Sequence, residues 1–238
     1  MTGGGENGDA PAIRAVAALN DDFRRGMYAY CRRVGRPVSR DEAAAQVGIS
    51  RKLAAFHLDK LVDAGLLRAH YAPVEGARRV GRAPKVYEPT NTPVRVAIPE
   101  QRHDLLADLL LDAVLAHRPG ESATESALRA ARERGRRLGA RERDDARPGR
   151  LGAERALTIA GAVLAGHGFE PRRDDPTTVR LRNCPFHPLA VRAPELVCGI
   201  THAFIDGFLT GLGAPTTQAQ LIPTAGECCV RLGTRPDR

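Results

Sequence analysis

The chain reads as an α+β protein in three parts: a helical head closed by a two-stranded ribbon, a central apolar helix, and a small mixed tail carrying thiols. Three observations carry that reading. Capped helices joined by a tight turn fill the first third. A leucine stripe at helical spacing follows a pair of prolines. Four of the five cysteines fall in the last quarter, at Cys184, Cys198, Cys228 and Cys229.

At 238 residues the chain has room for one large domain or two small ones. Apolar residues make up 42%, enough for real cores, and no run approaches the roughly 20 unbroken apolar residues of a membrane span. Residues 1–20 begin without a basic flank or an apolar run, so a disordered tail is expected there rather than a secretory signal. A cytoplasmic protein with no membrane partner is the default expectation. The net charge of +8 favours a polyanionic partner. Only three of the 36 basic residues are lysine, and the chain is full of Arg, Ala and Gly, so the placement of charge says more than its sum. In a reducing compartment, cysteines bind metals, sense redox state or pack in cores more often than they form disulfides. No Cys-x-x-Cys pair occurs, which excludes a zinc ribbon or a thioredoxin-type motif.

Residues 21–92 make the head. A helix over 21–34 sets Phe23, Met27, Tyr30 and Val34 on one face, and Gly35 with Pro37 ends it. Ser39 and Glu42 have the spacing of a capping box for the next helix, and Gly48 permits a tight turn. Ser50 caps a helix over 51–64. Its Ala54, Leu58 and Leu61 face inward, leaving Arg51, Lys52, Ala55, Phe56 and Asp59 outward. Strands then flank a basic segment in which Arg78, Arg79, Arg82 and Lys85 supply cations. Arg51 and Lys52 stand where base edges are usually met and are able to donate to guanine O6 and N7. Ala55 and Phe56 offer surface suited to a thymine methyl, and the ribbon cations suit phosphates.

The run Val47-Gly48-Ile49-Ser50-Arg51-Lys52-Leu53, continuing to residue 67, and Gly81-Arg82-Ala83-Pro84-Lys85-Val86-Tyr87 together resemble bacterial winged helix–turn–helix transcription regulators. The resemblance implies reading of a double-stranded DNA operator by helix 51–64, with the wing against the backbone.

Residues 97–150 are expected to hold a central dimerisation helix and an arginine-rich helix. Leu105, Leu106, Leu109, Leu110, Val114 and Leu115 form one stripe over 100–117. A partner subunit is its natural cover, and symmetric operator reading calls for a homodimer; packing within the chain is the alternative. Over 119–150, arginines interleave with Glu133, Glu142 and Asp144, which predicts a solvated helix ending in a linker at Pro148-Gly149.

Residues 151–238 read as a small α+β sensor domain: a helix over 151–167, strands over 169–173 and 177–182, a helix over 194–212 begun by Pro194, and a hairpin over 218–223 and 228–232. Cys184 lies in a loop directly before Pro185. Cys198 falls near a helix N-terminus, where free amides stabilise a thiolate, and His202 lies one turn further on the same face. On a strand, Cys228 and Cys229 would point to opposite faces, with Cys228 inward beside Val230 and Leu232.

Cys184-Pro185-Phe186-His187-Pro188, then Cys198, then Gly226-Glu227-Cys228-Cys229-Val230-Arg231-Leu232, are similar to the C-terminal half of SufR-type iron–sulfur cluster repressors and their actinobacterial relatives. The resemblance implies an iron–sulfur cluster on Cys184, Cys198 and Cys228, with Cys229 or His202 as the fourth ligand, and a homodimeric repressor whose operator affinity follows the cluster. The doubled Cys228-Cys229 stands where that family usually has one thiol. The residues themselves leave other readings open: zinc at these thiols, a small organic effector, or metal-free thiols that sense oxidation. A thiol enzyme using Cys198 with His202 as base is a distant reading, because no third orienting group is evident; no enzyme is expected.

Overall fold

The computed structural model describes residues 9–72, 83–146, 149, 151–224 and 226–235. The chain divides into two units, Met1–Val96 and Ala97–Arg238, each with its own core. Among the described residues there are nine helices and two small open sheets.

The first unit begins with α1 (Asp9–Ala18), a helix where a disordered tail is expected from composition. Pro11 sits in its first turn, where a missing N–H costs nothing, and alanines dominate the rest. Ala15 is buried and fixes the helix to the core. Next come α2 (Asp22–Val34), the short strand β1 (Val38–Ser39), α3 (Arg40–Val47) and α4 (Arg51–Asp63). The Ser39 hydroxyl accepts from the Glu42 amide, and the Glu42 carboxylate accepts from the Ser39 amide, so the first turn of α3 is satisfied from both ends. Gly48 stops α3 at φ +70°, and Ser50 accepts from the Leu53 amide to start α4. Strands β2 (Leu67–Tyr71) and β3 (Lys85–Pro89) pair antiparallel, with β1 on the other edge of β3. Arg78, Arg79 and Arg82 lie outside the described residues. Met27, Cys31, Leu58, Leu61 and Tyr87 meet in the core, where burial pushes the Cys31 thiol up to about 11.

The second unit takes in both the central helices and the tail, so residues 97–150 and 151–238 share one core. It contains α5 (His103–Leu115), α6 (Ala123–Ala146), α7 (Ala153–Ala165), β4 (Pro171–Asp175), β5 (Thr178–Leu181), the single turn α8 (Leu189–Arg192), α9 (Pro194–Leu212), β6 (Thr217–Leu221) and β7 (Val230–Thr234). The sheet order is β4-β5-β7-β6, antiparallel throughout. By length and composition α9 is apolar enough to cross a membrane. Here ten of its residues are buried in the core, Phe204 and Phe208 among them.

The arginine-rich stretch is where the structure departs most from expectation. One face of α6 is not solvated: Ala127, Ala131, Gly135 and Gly139 recur every fourth residue and are buried. On α9, Gly199, Ala203, Gly207 and Gly211 recur at the same interval. The two small-residue rows let the helix backbones touch. A Cβ on Gly135 would sit 1.9 Å from the Phe204 carbonyl oxygen, and one on Gly207 would sit 2.1 Å from that of Arg132. The arginines occupy the remaining face, several in surface pairs such as Arg136 and Arg137 with Glu133.

Half of the α5 stripe is covered within the chain. Leu105, Leu106 and Leu109 are buried, whereas Leu111, Val114 and Leu115 are 55%, 74% and 76% exposed.

Candidate functional site

Three distant segments of the second unit bring their cysteines together. The first is the loop after β5. Asn183 Nδ2 donates to the carbonyls of Glu100 and Gly168, both at 2.7 Å, and the Arg102 amide donates to the Pro185 carbonyl at 2.8 Å. The Phe186 ring is fully buried edge-on against Phe169. Cys184 is thus presented by a loop whose own backbone is held on both sides. The second segment is α9, which starts at Pro194 and carries Cys198 in its second turn.

The third is the loop entering β7, and here the expected hairpin is shifted by two residues. Strand β7 begins at Val230, so Cys228 and Cys229 precede it, and strand alternation does not sort them. Two backbone bonds place the pair instead. The Cys228 amide donates to the Leu181 carbonyl at 2.9 Å, and the Ile222 amide donates to the Cys229 carbonyl at 2.7 Å. The pair is held between the end of β5 and the exit of β6, and both thiols are buried, at 4% and 7% exposure.

Cys184, Cys198 and Cys229 line one open cavity of about 600 Å³, together with Asn183, His187 and Glu227. Cys228 does not line it; that residue borders a smaller polar pocket beside Arg180 and Arg231. Inward burial therefore holds for both members of the pair, but the one facing the cavity is Cys229 rather than Cys228. His202 is also off the cavity wall: its Nε2 meets the Ala219 carbonyl on β6 at 3.2 Å. His187, a minor candidate for ligation in the sequence, is on the wall, and Glu227 is the lining residue that the sequence did not single out. Glu227 directly precedes the cysteine pair, which was the available signal.

The four thiols are neighbours. Each thiol shifts its neighbours: Cys184 with Cys228, Cys228 with Cys229, and Cys198 with Cys229. The neighbouring Cys228 thiol lowers Cys184 and Cys229. Its two thiol neighbours, with burial, drive Cys228 upward. Burial, followed by the neighbouring Cys229 thiol, pushes Cys198 up despite its place near a helix N-terminus.

Among the described residues, no group of three or more His, Cys, Asp or Glu side chains is arranged to hold a single metal ion. The donor set still suits an iron–sulfur cluster. Such a cluster is held by thiolates on more than one iron, so its ligand sulfurs stand around a volume rather than at one point. Three cysteines around an open cavity meet that requirement.

In the first unit, Arg51 and Lys52 are exposed at the start of α4, and Phe56 is 54% exposed one turn on. Arg51 pairs with Asp41 of α3. Ala55 is half-buried beside them. His57 is buried between Phe23 and Phe56 rather than facing outward. Lys85 is engaged within the fold: its Nζ meets Asp59 Oδ1 at 2.7 Å, and the Tyr87 hydroxyl donates to the same oxygen. That tether raises the lysine's pKa and leaves it less free for phosphate than a solvated side chain.

No family model matches the chain, and no curated protein or solved structure does.

Proposed function

We propose that the chain is a homodimeric DNA-binding transcription regulator, a repressor by resemblance, whose operator affinity is controlled by an iron–sulfur cluster. The single observation that carries the reading is that Cys184, Cys198 and Cys229, from three separate segments, face one open cavity. When bound, a cluster supplies an oxidisable link among its cysteine ligands. The chain's own residues do the rest. The loop of Cys184, the helix of Cys198 and the turn of Cys229 would be tied to one another, which favours whichever conformation keeps them together. His187 and Glu227 on the same wall are the candidates for a fourth, non-thiol ligand. Cys228 stays behind the wall.

For the first unit, the supporting features are a capped helix, α4, that offers Arg51, Lys52 and Phe56 from its N-terminal turns, and a paired β2–β3 ribbon beside it. These suit a winged helix–turn–helix reading the major groove. Homodimerisation is supported by Leu111, Val114 and Leu115, an apolar strip along α5 that this chain leaves open.

The test is protein purified anaerobically after iron-replete expression. Iron, acid-labile sulfide and a visible absorption band are expected, and chelation should change affinity for a selected operator by about 5- to 150-fold. Colourless protein holding neither iron nor sulfide would falsify the cluster. For the head, Arg51→Ala and Lys52→Ala should each weaken operator binding by about 1–3 kcal/mol in a gel shift, with the fold of the unit unchanged by circular dichroism. Normal binding by both variants would remove α4 as the reading helix.

A further inference from the structure

We infer that Asp59 is a base-reading residue, a step that rests on the reading of the first unit as a winged helix–turn–helix. One of its carboxylate oxygens selects a cytosine in the major groove by accepting from the N4 amino group. Lys85 and Tyr87 supply the counter-charge and the brace that let a carboxylate stand in a DNA interface.

Placement comes first. On α4, Asp59 follows Lys52 by seven residues, about 700° of helical turn, so the two stand within about 20° of one line and roughly 10 Å apart along the axis. Phe56 falls beside them, while Ala54, Leu58 and Leu61 hold the opposite face in the core. The Asp59 side chain is 49% exposed on this outward face. Its Oδ1 is already engaged twice, accepting from Lys85 Nζ at 2.7 Å and from the Tyr87 hydroxyl at 3.0 Å. Among the described residues nothing donates to Oδ2. The two donors are themselves held in place. Tyr87 is buried, Lys85 Nζ lies 5.3 Å from the centre of its ring, and both sit on β3, the middle strand of its sheet.

Phosphates repel a bare carboxylate, but here an ammonium at 2.7 Å offsets the charge. What remains is an acceptor without a donor. In the major groove guanine presents N7 and O6, and thymine presents O4 and a methyl, so neither has a hydrogen to give. Adenine has the N6 amino group, but its N7 acceptor stands beside it and opposes a carboxylate. Cytosine presents the N4 amino group alone, which Asp and Glu accept from. A strut between α4 and β3 would need only Oδ1. The exposed second oxygen is what a strut leaves unused.

The experiment enriches binding sites from a random duplex library with the full-length wild type, Asp59→Asn and Asp59→Ala. One cytosine per half-site is expected for the wild type, favoured about fivefold or more over the other bases. Asparagine keeps an acceptor for Tyr87 and adds a donor, so that position should move to adenine, whose N6 and N7 an amide matches. Alanine should erase the preference there and keep the rest of the site. A second measurement needs no variant: N4-methylcytosine at that position keeps its pairing to guanine but turns a methyl toward the groove, and should weaken wild-type binding at least fivefold. Equal binding to the methylated site, an unchanged preference in both variants, or a uniform weakening across all sequences would each overturn the inference; the last is the mark of a purely bracing role. The parent reading fails differently. Wild-type protein that enriches no sequence removes α4 as a reading helix, whereas an enriched site indifferent to residue 59 keeps the operator and removes only the role of Asp59.

Discussion

Replacing Gly135 or Gly207 by alanine will destabilise the second unit by about 3 kcal/mol or more, visible as a fall of roughly 10 °C in its thermal midpoint. Propensity predicts the opposite sign, since an alanine inside a helix is worth about 1 kcal/mol over glycine. Packing decides. The new methyl carbon would lie 1.9 Å from the Phe204 carbonyl oxygen at position 135, and 2.1 Å from the Arg132 carbonyl oxygen at 207. The obstacles are backbone atoms of a facing helix, so no side chain is available to swing aside. The helices must separate, and the buried contacts of Ala131, Phe204 and Phe208 loosen with them. Gly139 and Gly211 repeat the arrangement, at 2.1 and 2.0 Å from carbonyl oxygens. Gly161, inside α7, is the control: a Cβ there would meet only side-chain carbons of Pro171, at 3.7 and 4.0 Å, and alanine should leave the thermal midpoint in place or raise it. Unchanged curves for Gly135→Ala and Gly207→Ala would mean that α6 and α9 do not cross this closely.

That crossing also marks the boundary of what the sequence makes legible. Caps and turns are local, so Ser39 with Glu42, Gly48 and Ser50 declare α3 and α4 without any knowledge of the tertiary fold. The rows of alanine and glycine were equally visible, but the seven arginines of α6 draw attention to solvent. An apolar moment finds faces that bury large side chains. It does not find faces that bury backbone. The same limit applies at the thiols. The resemblance implies which cysteines belong together, but the roles of Cys228 and Cys229 depend on where β7 starts. That start is set by the register with Leu181 and Ile222, residues remote in sequence. His202 shows the complementary error: helical spacing put it beside Cys198, yet one turn of α9 is enough to carry its ring to the Ala219 carbonyl.

A series of serine substitutions separates the cavity-facing thiols from the one behind the wall. Cys184→Ser, Cys198→Ser and Cys229→Ser should each reduce iron and sulfide to background after anaerobic reconstitution, because a serine oxygen is a poorer cluster ligand than a thiolate. Cys228→Ser should keep the cluster, since Cys228 is not among the residues of the cavity wall and lines a different pocket. The resemblance implies Cys228 as a ligand, with Cys229 or His202 as the fourth, so Cys228→Ser discriminates directly between motif and geometry. Burial sets the control that the comparison needs. Cys228 and Cys229 are similarly enclosed, so a general loss of folding would affect both variants alike in a thermal melt. Retained iron in Cys229→Ser with loss in Cys228→Ser would show that the turn before β7 rearranges on loading, and that the cavity lined by Cys229 is not the ligand shell.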